Sequence, residues 1–444
     1  MRALITVESR YVRSPDGTVW TYDSYAYQFF AHYLTAFDGV RVVARVQDVP
    51  NPPAKAHPVG GPGVTVWPLP YYQGPRQYLR RLPAVRRSLA GAVATDDGPA
   101  AVILRVPSFI GSLLAGLLDR QGRPYAMEVM ADPYDAFAPG SMSHPLQPLV
   151  RLRYSARLKQ LCRRAIAVSY VTDSYLQRRY PPGRTALSTA YSCVDLSADA
   201  YVARPRDIER TSTARTLISV GSLDWITKGV DTTIAALARL NAAGHQLRLV
   251  HLGDGRCRPR LAEFAARLGV SDQVTFAGHL PAGEAVRRQL DAADMFVMPS
   301  RAEGIPNAMV EAMARGLPAI GSHVGGIPEV LPTRYLVPPD NVPALATAID
   351  RLITDPELMA TASAANLGRA ADYSAEVLLP RRSAFYQQLR AAVEQTTGIE
   401  RSQRHHPAAA EAEDRLATTG TRTGVAASGP TEVEPVTRPG SDGS

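Results

Sequence analysis

With 444 residues, 45% of them apolar, the chain is too long for one compact core and apolar enough for two domains of about 150–200 residues each. Its 49 basic residues outnumber 41 acidic ones, which suits phosphorylated substrates, nucleic acid or an anionic membrane without choosing among them. Cys162, Cys193 and Cys257 match no disulfide, zinc or redox spacing, and they point to a reducing cytoplasm.

Residues 2–7 are apolar without alternation, the pattern of a buried parallel strand, and Glu8 follows too soon for a signal-peptide core. Pro15-Asp16-Gly17 makes residues 9–18 a loop, and 21–37 reads as a helix. Strands are expected over 40–46 and 64–67, with a Pro- and Gly-rich loop between them. In residues 74–93, Arg76, Arg80, Arg81, Arg86 and Arg87 alternate with Tyr78, Leu79, Leu82, Val85 and Leu89. This is a basic amphipathic segment, kinked or split by Pro83. It is either a solvated helix face or a contact for an anionic bilayer or phosphorylated acceptor. A second basic run spans 151–164.

Residues 101–104 read as a strand, 108–120 as a helix and 125–130 as a strand. The longest apolar stretch, 101–118, is broken by Arg105, Pro107 and Ser108, so it is no membrane span. Asp132 follows a strand end, where open parallel sheets bind ligands. A strand over 165–168 leads to a helix capped at Thr172 or Asp173. Residues 195–213 lack periodicity and read as a linker.

The alternation then restarts. A strand over 215–220 meets Gly221, Ser222, Lys228 and Gly229, and a helical stripe from Val230 ends at Gly244. Lys228 at a helix opening is well placed for a diphosphate. A strand over 247–252 ends in Gly253-Asp254-Gly255, and one over 273–277 ends in Gly278-His279-Leu280. Residues 294–298 form a buried strand that delivers Glu303-Gly304-Ile305-Pro306 to a helix over 307–315. Pro306 suits the first turn, Gly316 supplies a left-handed cap and Pro318 forbids continuation. Free N–H groups and the positive dipole end make this an anion site, bracketed by Glu303 and Glu311. Acids beside an anion site make sense if they accept hydrogen bonds from hydroxyls while the amides take phosphate, as a nucleotide sugar requires. The alternative is a surface helix with two solvated acids.

The run 303–318 resembles the signature of the retaining GT-B glycosyltransferases of family 4, two glutamates separated by seven residues. The resemblance covers roughly residues 3–389 and is most specific over 221–329. Residues 171–177 and 380–394 also resemble family segments, the latter the terminal helix that crosses back onto the N-terminal domain. The fold expected is α/β, GT-B, two doubly wound Rossmann-like domains facing a cleft, as the restarted alternation also implies. An N-terminal acceptor domain over 1–195, completed by helix 380–395, would be joined by linker 196–213 to a donor domain over 214–379. Residues 398–444 are too polar to offset their ordering entropy and are expected to be disordered.

The resemblance implies retaining transfer from a nucleotide-diphosphate sugar to a glycan, lipid-linked or small-molecule acceptor, with no cofactor and no nucleic-acid partner. No carboxylate cluster resembles a metal site, and Lys228 with the helix end can neutralise the leaving diphosphate, so metal-independent chemistry is expected. Glu303 and Lys228 would be the catalytic pair. Gly221, Ser222, Lys228, Gly253, Gly255, His279, Leu280, Gly304, Ile305, Pro306, Asn307, Ala308 and Glu311 would hold the donor, Glu311 by its ribose. Gly17 and Asp132 would lie on the acceptor side. Arg76, Arg80, Arg81, Arg86 and Arg87 would meet an anionic inner face of the plasma membrane. The chain departs from the family at Ser222, where a second diphosphate cation is usual, at Met130-Ala131, where a histidine is usual, and at Gly17, which stands alone where a glycine pair is usual. Two alternatives stay open: a non-catalytic nucleotide-sugar- or carbohydrate-binding protein, favoured by the missing histidine and by Ser222, and a nucleotide-sugar epimerase on the same two-domain fold. No G-x-G-x-x-G follows the first strand, which disfavours a dehydrogenase.

Overall fold

The structure, a computed structural model, describes residues 1–22, 25–51, 56–94, 100–136, 147–194, 196–207 and 215–404. Residues 1–394 form one compact unit. Within it are two α/β layers, each built on a parallel sheet.

In the N-terminal sheet, β1 (Arg2–Arg13) is flanked by β3 (Gly39–Asp48) and β6 (Ala100–Val106). Next to β3 lies β5 (Val64–Pro70). Beyond β6 come β7 (Ala126–Val129), β8 (Ala167–Tyr170) and β9 (Leu187–Ala190). Ile5 sits in register with Val42 on one side and Ile103 on the other, and all three are fully buried. This two-sided burial is why these strands read as continuous apolar runs.

The expected loop after the first strand is instead strand. β1 runs on to Arg13 and turns back through residues 14–18 onto β2 (Val19–Thr21), which pairs with β4 (His57–Pro58). Ser9 and Tyr11 point inward while Arg10 is exposed, a period of two that the turn signal at 15–17 masked. The helix expected over 21–37 shrinks to Tyr27–Ala31 and a 3-10 turn over His32–Thr35, because Thr21 is committed to the hairpin. The helix Gly74–Ala94 passes through Pro83 without ending.

In the C-terminal sheet the order is β12 (Val274–Gly278), β11 (Arg248–Leu252), β10 (Thr216–Val220), β13 (Met295–Met298), β14 (Ala319–Ser322) and β15 (Leu336–Val337), all parallel. Strand order reverses between β10 and β13 here, and between β1 and β6 in the first sheet. Such reversals open a crevice beyond the carboxyl ends of the strands.

The helix Ala375–Arg404 returns to the N-terminal layer. There the Tyr386 hydroxyl donates to Glu128 at 3.0 Å, and Arg390 reaches the Ala36 carbonyl at 2.8 Å and Asp38 at 3.0 Å. This helix continues through residues 398–404, which the sequence reading assigned to a disordered tail, since one interior glycine costs a helix only about 1 kcal/mol. The rest of that tail, 405–444, and most of the second half of the linker, 208–213, lie outside the described residues.

Candidate active site

Two loops make the C-terminal wall of a 420 Å³ cavity between the layers. The first leaves β10 at Gly221 and ends in the turn Ile226–Lys228, with Gly229 left-handed at φ +67° before the helix Val230–Ala242. The second leaves β13, passes Glu303 and Gly304 and enters the helix Asn307–Ala314. Lys228 Nζ donates to Glu303 Oε1 at 2.6 Å, and the Ser300 hydroxyl donates to the same oxygen at 2.8 Å. The Glu303 side chain is 9% exposed and that of Lys228 27%, so the pair is sheltered yet open on the cation side. Asn307 and Ala308 also line the cavity, and a first helical turn leaves such N–H groups without intrahelical acceptors.

Backbone fit explains the glycines here. Gly325 is left-handed at φ +55°, and a Cβ on it would strike the Glu303 carbonyl. A Cβ on Gly304 would lie 2.8 Å from the carbonyl oxygen of Met130, in the other layer. Arg301, which sequence reasoning passed over, fastens the two loops together. Its backbone N–H donates to Thr227 O at 2.7 Å, and its guanidinium grips Asp231 at 2.9 and 2.8 Å and reaches the Ile226 carbonyl. Its place directly before the glutamate loop was the available signal. His251 is buried beneath Gly221, with Nε2 donating to the Gly221 carbonyl at 3.0 Å and Nδ1 accepting from the Ser219 hydroxyl at 2.7 Å. Burial pulls its pKa down to about 4, so the ring is a neutral prop.

Gly221, Ser222, Lys228, Glu303, Gly304, Ile305, Pro306, Asn307 and Ala308 therefore line one cavity. Gly253, Gly255, His279, Leu280 and Glu311 are not among its lining residues. Gly253 N–H donates to Gly278 O at 2.8 Å, which ties the β11 and β12 exits together, and His279 is exposed beyond them. Glu311 is half-buried, and burial raises its pKa against the opposing pull of Arg287 and Arg315.

The N-terminal wall departs more from expectation. Tyr25, Met130, Val171, Ser192 and Cys193 complete the cavity, and Tyr25 and Met130 also border a neighbouring 320 Å³ cavity with Glu8, Ser9, Arg10, Arg105 and Pro107. Gly17 is at the hairpin tip, at φ +86°, and lines neither cavity, because the turn it makes joins two strands. Asp132 is 3% exposed and committed elsewhere. It pairs with Arg179 at 3.0 Å and accepts from Tyr134 N–H at 2.8 Å, from the Tyr175 hydroxyl at 3.2 Å and from the Tyr180 hydroxyl. Neither residue lines either cavity. The residue at the crevice is Glu8, which accepts from the Ser108 hydroxyl and Ile110 N–H at 2.9 Å each and pairs with Arg45 at 3.1 Å.

Behind this wall, Glu128 is buried and accepts from Tyr33, Tyr191, Tyr386 and Arg105. A latch joins the layers: Glu329 accepts the N–H groups of Asp173, Ser174 and Tyr175 at 2.5, 2.9 and 2.7 Å. The residue that opens the helix Tyr175–Arg179 is Ser174, not the expected Thr172 or Asp173, although the Thr172 hydroxyl still accepts Leu176 N–H at 3.0 Å. Among the described residues no three carboxylate, histidine or cysteine side chains converge as a metal site would need. All five arginines of Gly74–Ala94 named above are exposed, and no described helix is long and apolar enough to cross a membrane.

Residues 214–355 match the model of the family described as glycosyl transferases group 1. The protein CapJ of Staphylococcus aureus is 26% identical over 333 residues, 74% of this chain and 81% of that protein. Sucrose-phosphate synthase from Thermosynechococcus elongatus superposes with a TM-score of 0.68 at 21% identity, over 88% of this chain and all of the other. Anabaena HepE, solved with UDP and glucose, superposes with a TM-score of 0.56 at 18% identity, over 89% of this chain and 99% of the other. The C-terminal layer thus matches the model of the group 1 glycosyl transferases, and the chain as a whole has the GT-B fold of these solved structures.

Proposed function

We propose that the chain moves a sugar from a nucleoside-diphosphate sugar to an acceptor held on the N-terminal side of the cleft, with retention of configuration and without a metal ion. The observation that carries this reading is the Lys228 ammonium, 2.6 Å from Glu303, beside the first turn of Asn307–Ala314. A departing nucleoside diphosphate gains negative charge, and a fixed cation with aimed N–H groups stabilises it where it forms. HepE, of the same fold, was solved with UDP, which supports a uridine nucleotide as the first donor to try. Glu303 then orients the sugar by its hydroxyls, and Glu311 accepts from the ribose. In the overall reaction the bond from the anomeric carbon to the diphosphate breaks, a bond to the acceptor oxygen forms, and the acceptor's hydroxyl proton is released with the nucleoside diphosphate. The nucleotide sugar is the substrate and no further cofactor enters.

The acceptor, a glycan, lipid-linked or small molecule, fits the 320 Å³ cavity bordered by Glu8 and Arg10. We place the protein in the cytoplasm, with Arg76, Arg80, Arg81, Arg86 and Arg87 facing the anionic inner membrane surface. A panel of UDP-, GDP- and ADP-sugars, followed by thermal shift and by mass spectrometry of the products, tests the donor reading. Stabilisation by one nucleotide and transfer of its sugar are expected. No shift with any of them overturns it. The anomeric proton coupling of the product decides retention, and loss of activity in EDTA that Mg²⁺ restores would end the metal-free reading.

A further inference from the structure

Lys228 carries the proposed diphosphate chemistry, and its turn is held by residues 299–301. Both peptide carbonyls that precede Lys228 accept from Arg301: Thr227 O from the backbone N–H at 2.7 Å, and Ile226 O from the guanidinium. Just after it, Gly229 is left-handed at φ +67°, and a Cβ there would strike the Pro299 carbonyl. The lysine stem lies along Gly221, where a Cβ would come within 2.9 Å of Lys228 Cε, and the ammonium meets Glu303 at 2.6 Å. A lysine is a point charge on a flexible stem, so its head is placed only as well as its backbone is fixed. Among the described residues that line the cavity, Lys228 is the single basic one. The leaving charge therefore falls on this ammonium and on the N–H groups of Asn307–Ala314.

Arg301 does not meet the donor itself. It is not among the residues that line the cavity, and its guanidinium is committed elsewhere. Asp231 takes both Nη1 and Nη2, at 2.9 and 2.8 Å, and Asp340 takes Nη2 at 2.6 Å. With the Ile226 carbonyl added, the planar fork is nearly saturated, in an arrangement that no lysine reproduces. Exposed ion pairs are ordinarily worth little, but a two-pronged arginine shared by two carboxylates is a network that fixes geometry. Asp340 is drawn into an unusual conformation for it. At φ +59° it is the one left-handed residue other than glycine among those described. Aspartate tolerates that backbone, and such outliers gather at functional sites. A catalytic group misplaced by about 1 Å can lose about 100-fold in rate, so the clamp behind Lys228 bears directly on turnover.

We propose that Arg301 is a positioning residue: it fixes the turn Ile226–Lys228 so that the Lys228 ammonium stands where the diphosphate departs, and Asp340 fixes the guanidinium. This rests on the role given to Lys228 above. The variants are Arg301→Gln and Asp340→Asn. The second changes a side chain that is 59% exposed, and asparagine also accepts a left-handed backbone, so it keeps the fold even if the first does not. The sequence holds three lysines, Lys55, Lys159 and Lys228, which makes Lys228 visible by itself. In the ¹³C-dimethylated full chain its NMR signal, identified by its loss in Lys228→Ala, should stand apart from that of exposed Lys159. Both variants should shift it toward the Lys159 position, and a signal unmoved in both overturns the proposal without any substrate. UDP release from UDP-glucose is the second readout. Arg301→Gln should lower kcat by about 10–100-fold and Asp340→Asn by about threefold, with KM within about threefold. In the Lys228→Ala background each should change kcat by less than about twofold, because the group they position is gone. Equal losses in both backgrounds, or an unaltered kcat in both single variants, overturn the proposal. If Lys228→Ala itself keeps full turnover, the role of Lys228 falls and this inference with it, whereas a loss there with none in the two variants removes this inference alone. No UDP release by the unaltered chain would count against UDP-glucose as the donor, and the lysine signal would still decide.

Discussion

The C-terminal wall of the cleft is made of backbone, whereas the N-terminal wall is made of side chains. On the first, Gly304 and Gly325 let main chain pass at contact distance, Gly221 leaves room for the Lys228 side chain, and Lys228 and Glu303 are carried on fitted loops. On the second, Glu128, Arg105 and three tyrosines brought from distant parts of the chain form one buried knot, and the surface facing the cleft follows from it. A wall of backbone fixes positions for chemistry common to many relatives. A wall of side chains can be re-cut for a new acceptor by exchanging residues, at the risk of the fold. The two walls should therefore fail differently.

The largest effect is expected on the N-terminal wall. Glu128→Ala leaves Arg105, 6% exposed, as an uncompensated buried charge, which costs about 3–5 kcal/mol of stability. Urea unfolding checks this, and a loss under 1 kcal/mol would make the knot unimportant. Lys228→Ala should cost less stability, about 1–3 kcal/mol, because Glu303 keeps the Ser300 hydroxyl, but should lower kcat by about 100–1000-fold, as removal of a transition-state charge partner does. If stability and not turnover falls, the two walls are alike after all. Glu311→Gln should weaken nucleoside-diphosphate binding by about 1.5–3 kcal/mol in calorimetry. Unchanged affinity would remove the ribose assignment.

A smaller effect comes from pH. His251 has its pKa lowered to about 4 in the fold, so the unfolded chain, near 6.5, takes up the proton first as pH falls. Its neutral form supports the fold fully above about pH 6.5, and about 2 kcal/mol should be lost by pH 5. His251→Gln should flatten that part of the urea-midpoint profile, and an unaltered slope would assign it to other groups. The smallest effect is expected at the latch. Glu329→Gln should cost about 1 kcal/mol, because Asp173 N–H and its neighbours keep a weaker acceptor. Small-angle scattering should then show a more open average, and an identical profile would mean the layers are held elsewhere.

The same contrast decides what the sequence could reveal. A backbone-built site needs glycine and proline at fixed offsets, so residues 303–318 pointed to the fold and to Glu303, and residues 221–229 pointed to Lys228. A knot of side chains leaves no such trace: Tyr33, Arg105, Glu128, Tyr191 and Tyr386 are each unremarkable within their own segments, and only the fold brings them together. Asp132 stood at a strand end and so looked available, but Arg179 and Tyr180, more than forty residues away in the chain, occupy it. Gly17 belonged to a genuine turn, but one between strands, because the alternation through Tyr11 was too short to outweigh it. The opening of Tyr175–Arg179 was half legible: the Thr172 acceptor is local, whereas the Glu329 acceptor comes from the other layer.

The helix that returns from the far end of the chain has a further consequence, for the timing of synthesis. Glu128 and Tyr386 are 258 residues apart, and the helix bearing Tyr386 also seals Asp38 through Arg390. A ribosome adding about 5–20 residues per second reaches Tyr386 roughly 13–50 seconds after Glu128. Throughout that interval the layer translated first has a buried carboxylate short of one donor and an apolar flank without its cover. The layer translated second has its own sheet and core by then. The half that begins translation is thus the half that finishes folding, and a nascent chain stalled before residue 386 should expose its first domain, not its second, to proteases and chaperones.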